Sequence, residues 1–209
     1  MGKQNNGING GYQGAVGTAI GYNWRGRWCT RSKPSATKDP RTARQVAARG
    51  WFTASVQLAS HMRLALRQGL HDSSLAQHMT EGNYFIRLNR PHLGWQDGAL
   101  VVDYGSLVLA EGPVTPVHFG TVTSPEAHVL TATFSTDPAD GSSVYYDTVH
   151  LFAYCPEAMQ GVMATPVYRS AERVTVTTPR PWGDSEVWLY GWVQDIDGHC
   201  SGSVCLAEP

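Results

Sequence analysis

Val187-Trp188-Leu189-Tyr190-Gly191-Trp192-Val193 alternates with a period of two. That period marks a β-strand, because successive side chains on a pleated backbone point to opposite faces. Trp188, Tyr190 and Trp192 share one face; Val187, Leu189 and Val193 share the other. Both faces are apolar. One of them is core, and the other needs a cover, either a neighbouring protein or the chain's own N-terminal arm. The aromatic face therefore reads as a protein contact, with a carbohydrate-stacking platform as the alternative.

Outward from this strand the same pattern recurs. Residues 129–134 alternate clearly, and further strands are expected at 84–88, 99–104, 107–109, 118–122, 148–154, 173–177 and, more weakly, 203–207. Clusters of Gly, Pro, Asp and Ser separate nearly all of them, with turns at Gly105-Ser106 and Asp197-Gly198. Residues 83–209 thus predict an antiparallel β-sandwich in the style of immunoglobulin or fibronectin type III domains, without the Cys–Trp–Cys signature of antibody domains.

Residues 41–82 read as helical. Thr42 is an N-cap and Gln45 completes a capping box. Val46, Trp51, Ala54, Leu58, Met62 and Leu66 form an apolar stripe over 42–68, and Gly69 stops the helix. Ser74 and Gln77 open a second, short helix to 79, which Gly82 ends. Arg44, Arg49, Arg63 and Arg67 fall among polar positions and read as a solvated face. The whole chain is therefore expected to be α+β, in three parts: a Gly-rich basic arm at 1–40, the helical segment and the sandwich.

The arm carries Gly7, Gly10, Gly11, Gly14, Gly17, Gly21 and Gly26. Their spacing of three or four would align several on a helix face, but each glycine costs a helix about 1 kcal/mol relative to alanine. An extended, partly ordered arm is the expectation, followed by a Pro- and Ser-containing linker at 32–40. Trp24, Arg25, Arg27, Trp28 and Arg31 interleave rings and guanidinium groups, and these five are the candidate partner-binding residues of the arm.

Net charge is −1, but residues 1–90 hold 13 Lys/Arg and 3 acids while 91–209 hold 3 and 14. Such opposition favours contact between copies, or between the basic part and an anionic partner. Hydrophobic content of 42% suits a folded protein. No stretch approaches the roughly 20 apolar residues of a membrane span, and no secretory h-region opens the chain, so folding in the cytoplasm is expected.

Catalytic signals are missing. The glycine repeats lack the Gly-Lys-Ser/Thr of a phosphate loop. Gly198-His199-Cys200-Ser201-Gly202 has its serine one place late for a nucleophile elbow. His199 and Cys200 are adjacent, so on a strand they would face opposite ways. Eight histidines form no His-x-x-x-His, and His199, Cys200 and Cys205 fall short of four spaced zinc ligands. We expect no catalytic residues, no metal and no cofactor. Cys200 and Cys205 would close a small loop in an oxidising setting; free thiols are expected in a cytosolic one.

Gly2-Lys3, the spaced glycines through Gly21, Trp24-Arg25-Gly26, Arg31, Pro34 and Thr42-x-x-Gln45-x-x-x-Arg49-x-x-Phe52 resemble a family of uncharacterised proteins from Bacteroidota and their mobile elements. Leu151-x-Ala153-Tyr154-x-Pro156 and Ser201-x-Ser203 are similar to that family's C-terminal part. Asp39-Pro40-Arg41-Thr42-x-x-Gln45 also resembles a segment of small phage structural proteins. The resemblance implies no catalytic residues and points to a phage or phage-like particle. The expected function is a structural protein that self-associates, or joins other particle proteins, through its basic arm, passing from the cytoplasm into a virion. The alternatives are nucleic-acid binding by the same Arg and Trp residues, with Tyr22, and glycan binding by the strand tryptophans.

Overall fold

A computed structural model describes residues 3–4, 10–35, 39, 41–135, 146–183 and 185–207. Gly7 and, in the expected linker, residues 36–38 and 40 lie outside the described residues. The chain is α+β, with several antiparallel sheets, and divides into two compact units, Met1–Thr42 and Ala43–Pro209.

The first unit corrects the expectation of an extended arm. Strands β1 (Lys3–Gln4), β2 (Tyr12–Val16), β3 (Ala19–Trp24) and β4 (Arg27–Ser32) pair antiparallel in sequence order. Two-residue turns set the register. Gly17-Thr18 joins β2 to β3 with Gly17 at φ 59°, and Arg25-Gly26 joins β3 to β4 with φ of 46° and 83°. Positive φ at both central residues of Arg25-Gly26, and at the first of Gly17-Thr18, gives the backbone twist that matches paired strands. Gly11 and Gly21 serve the sheet differently, as beds for aromatic rings. A Cβ on Gly11 would sit 1.9 Å from the Trp28 ring, and one on Gly21 would sit 2.3 Å from the Tyr12 carbonyl oxygen and 2.6 Å from its ring.

The second unit begins with four helices: α1 (Ala43–His61), α2 (Arg63–Gly69), α3 (His71–Ala76) and α4 (Glu81–Leu88). The single helix expected over 42–68 breaks at Met62, and the short one expected to begin at Ser74 starts at His71. Gly69 ends α2 where Leu109 and Ala110 press on it; a Cβ there would lie 2.3 Å from the Leu109 carbonyl oxygen.

A hairpin follows, β5 (Leu93–Gln96) and β6 (Ala99–Val102), turned by Asp97-Gly98 at φ 50° and 82°. It seats on α1. The Trp51 indole donates to the Leu93 carbonyl at 2.9 Å, the Arg90 guanidinium lies 4.2 Å over the Trp51 ring, and Gly50 leaves room for Trp95. The remaining strands are β7 (His118–Glu126), β8 (Val129–Ser135), β9 (Thr148–Cys155), β10 (Gln160–Met163), β11 (Val167–Tyr168), β12 (Arg173–Thr177), β13 (Trp188–Gln194) and β14 (Val204–Ala207). They form one sheet in the order β10-β9-β13-β14, with β11 also on β9, and another in the order β12-β8-β7.

Two hydrophobic clusters hold this unit together, and β13 takes part in both. Tyr190 and Trp192 pack with Met62, Leu66, Leu70 and Phe85 from the helices. Leu189 and Val193 pack with Ala132, Phe134, Val174 and Val176 from the facing sheet. The two sheets thus share one core and the helices share the other.

Two expected strands are not strands. Residues 84–88 belong to α4: Thr80 caps it by accepting from the Asn83 amide at 3.2 Å, and Phe85 and Ile86 join the core cluster on the helical side. At 107–109 the Leu107 amide closes a turn onto the Tyr104 carbonyl, and the bonds of Val108 and the Leu109 amide go to side chains. Asn89, fully buried, exchanges hydrogen bonds with both the amide and carbonyl of Val108, and Ser203 Oγ accepts from the Leu109 amide.

Polar groups inside the core give the fold its pH and charge sensitivity. Arg169 and Asp147 form an ion pair at 3.1 Å with both side chains almost completely buried, and Arg169 Nη2 also donates to the Thr115 carbonyl. Removing one partner strands the other charge. Asp147→Ala is expected to cost about 3–5 kcal/mol, read from urea unfolding; a cost under about 1 kcal/mol would contradict a dry pair.

His150 stacks on Trp192 with ring centroids 5.4 Å apart and planes 4° from parallel. Its Nε2 meets Thr148 Oγ1 at 3.1 Å and its Nδ1 has no hydrogen-bond partner. Burial pushes its pKa from 6.5 down to about 4. The folded state therefore holds the ring neutral while the unfolded chain protonates it below 6.5. Its contribution is complete above pH 6.5 and is lost as pH falls towards 4, about 3 kcal/mol in all. In His150→Phe that part of the pH slope should vanish from unfolding curves taken between pH 4 and 7; an unchanged slope would place its origin elsewhere.

Candidate functional site

The register of the first unit sorts its aromatic and basic residues. Ile20, Tyr22 and Trp24 alternate along β3 and share one face. Across β4 their direct partners are Arg31, Cys29 and Arg27. Paired residues of antiparallel strands point to the same side, so two rings, an isoleucine and two guanidinium groups line one surface. Ile20, Tyr22, Trp24 and Arg31 border an open recess of about 500 Å³. Tyr22 and Trp24 are 37% and 45% exposed, which leaves much of each ring to a partner.

Of the five arm residues expected to bind a partner, the sheet brings Trp24, Arg27 and Arg31 together. Trp28 pairs with Asn23 and so lies on the opposite face, where it covers Gly11. Arg25 occupies the β3–β4 turn with φ 46°, beside a Gly26 amide that donates to Asn23 Oδ1 at 3.0 Å. Ile20 and Cys29 belong to the surface although the sequence reading passed over them. Their signal was present: residues 20/22/24 and 27/29/31 alternate about a two-residue Arg-Gly turn.

Trp188, Tyr190 and Trp192 are corrected. Their face is the chain's own core, not a platform for another molecule. Tyr190 and Trp192 are fully buried, Tyr190 donates its hydroxyl to the Tyr104 carbonyl at 2.7 Å, and Trp188 stacks on Tyr104 with centroids 5.7 Å apart. Burial pushes the Tyr190 hydroxyl pKa far above 10, so it stays protonated and donating. The cover that this apolar face requires is the helical layer.

Elsewhere, His199 and Cys200 turn opposite ways. His199 Nδ1 lies 2.8 Å from Asp72 Oδ2 at the surface, and the hydrogen bond to that carboxylate raises its pKa. Cys200 points inward and donates to the Gln68 carbonyl; burial pushes its thiol up to about 12, so no thiolate forms near neutral pH. All four cysteines are free thiols. Among the described residues no three His, Cys, Asp or Glu side chains gather as metal ligands, and no helix is long and apolar enough to cross a membrane. What the first unit's surface offers chemically is stacking and charge-assisted hydrogen bonding: rings for apolar or planar groups, guanidinium forks for carboxylates or phosphates.

Residues 11–206 match a protein family described as a family of unknown function, DUF6266. No curated protein and no solved structure matches the chain.

Proposed function

We propose that this chain, which belongs to the DUF6266 family of unknown function, is a non-enzymatic assembly protein that associates with copies of itself through its first unit. The observation that supports the reading most is the surface where Tyr22 and Trp24 stand beside Arg27 and Arg31. Rings and guanidinium groups anchor protein interfaces because they bury large areas and pair with carboxylates in two-pronged geometry. The second unit supplies the complementary charge. Residues 1–42 hold 7 Lys/Arg and one acid, whereas 43–209 hold 9 Lys/Arg and 16 acids. Contact between the first unit of one copy and acids on the second unit of another satisfies both. The setting we propose is a phage or phage-like particle of Bacteroidota, which the protein enters from the cytoplasm; this part rests on the resemblance of its N-terminal residues.

A second reading is favoured by one specific feature. Tyr22 and Trp24 are two residues apart on one strand face, so their rings stand about 6.6 Å apart at the backbone with arginines alongside. Open rings on which bases can stack, set within a basic surface, also suit single-stranded nucleic acid.

Light scattering on the full chain tests the first reading. A defined oligomer is expected in dilute buffer, falling to monomer at about 1 M salt, where charges are screened beyond roughly 3 Å. Trp24→Ala with Arg31→Glu should be monomeric throughout. A full-length monomer at every concentration, or an oligomer unaffected by the double substitution, would overturn self-assembly. Anisotropy of a labelled oligothymidine with a steep salt dependence, lost in the same variant, would put the nucleic-acid reading in its place.

A further inference from the structure

Helices α1, α2 and α4 enclose a groove of about 290 Å³ in the second unit. Its floor is apolar: Ala59, Leu66 and Ile86 are buried beneath it, and Val56 is 41% exposed at its edge. Phe52, one turn before Val56 on α1, is half exposed and continues the apolar strip. At the other end stand Arg63 and Arg67, one turn apart on α2 and exposed. Neither guanidinium has a carboxylate partner among the described residues. Glu81, the acid among the lining residues, is engaged by His71 Nδ1 at 3.2 Å.

This is an uneven surface. An apolar strip left in water is unfavourable, and two neighbouring cations repel each other. A single occupant with apolar side chains followed by carboxylates relieves both. The groove is also small and open. At about the lower limit of small-molecule pockets, near 300 Å³, it holds a few side chains better than a whole enclosed ligand. We infer that it is a docking site for an acidic peptide segment of a partner protein. Leucine-, isoleucine- or phenylalanine-type side chains of that segment fill the floor, and its Asp or Glu residues pair with Arg63 and Arg67. This mode is helix-groove recognition finished by charge-assisted hydrogen bonds. It involves none of the residues of the first unit's surface, so it stands or falls separately from the proposed assembly.

The test is selection of a random displayed peptide library on the full-length protein, followed by anisotropy of the labelled consensus peptide. The expected consensus joins large apolar residues to Asp or Glu. Arg63→Glu with Arg67→Glu, and separately Val56→Asp, should each weaken its binding by at least about tenfold, which is about 1.4 kcal/mol. Both changes are at exposed positions, so thermal melting should stay at the wild-type temperature. Failure to enrich an acidic–apolar consensus would overturn the inference. So would a consensus rich in Lys and Arg, or an acidic peptide whose affinity survives both variants.

Discussion

Strand β13 lies between two layers. Tyr190 and Trp192 press on the helices through Met62, Leu66, Leu70 and Phe85, while Leu189 and Val193 press on the facing sheet through Phe134, Val174 and Val176. Everything in the second unit depends on keeping both sides dry. Full burial of one large aromatic side chain removes about 150–250 Å² from water, on the order of 4–6 kcal/mol at most. Leaving either face uncovered would forfeit a large share of a domain's whole net stability. The helices are therefore one wall of the core. Gly69, Asn89 and Ser203 close the seam between the helices and the stretch before β7, the first by allowing Leu109 and Ala110 close approach, the other two by satisfying the backbone at 108 and 109.

That arrangement directs where binding is sought. The most aromatic stretch of the chain is committed to structure: Tyr190 and Trp192 are fully buried and Trp188 is packed against Tyr104. In the first unit a sheet too thin to bury its rings leaves them exposed. There Gly11 and Gly21 make room for Trp28 and Tyr12 on one side, with Trp28 still half exposed, and Tyr22 and Trp24 are open on the other with Arg27 and Arg31. Opposite charge on the two units, divided near residue 42, is the pattern from which we propose a second copy as the partner of that surface.

Much of this was legible in the sequence where the pattern had one explanation. Strand β12 sits at 173–177 as its alternation predicts, and β8, β9 and β13 fall within one or two residues of expectation. Failures came where two signals competed. Phe85 and Ile86 are β-formers, but the Thr80 cap opens a helix that runs through them. In the first unit the glycines outweighed the alternation of residues 20–24 and 27–31, and spacing alone cannot tell a glycine that loosens a chain from one that makes room for a ring. Asp97-Gly98 was a hairpin signal overlooked beside Gly105-Ser106. The pairing that splits Trp24 from Trp28 depends on a register fixed by one turn, and the wall that hides Trp192 comes from residues more than a hundred positions away; neither is a local property of sequence.

The central claim is that a folded N-terminal sheet accompanies a body whose helices and sheets are bound together through β13. Amide hydrogen exchange across the full chain tests it most directly. The account predicts slow exchange in β2, β3 and β4, and slowest exchange in β9 and β13, with α2 and α4 opening only when β13 opens. Free exchange over Tyr12–Val16, Ala19–Trp24 and Arg27–Ser32, or helices that exchange independently of a protected β13, would contradict it.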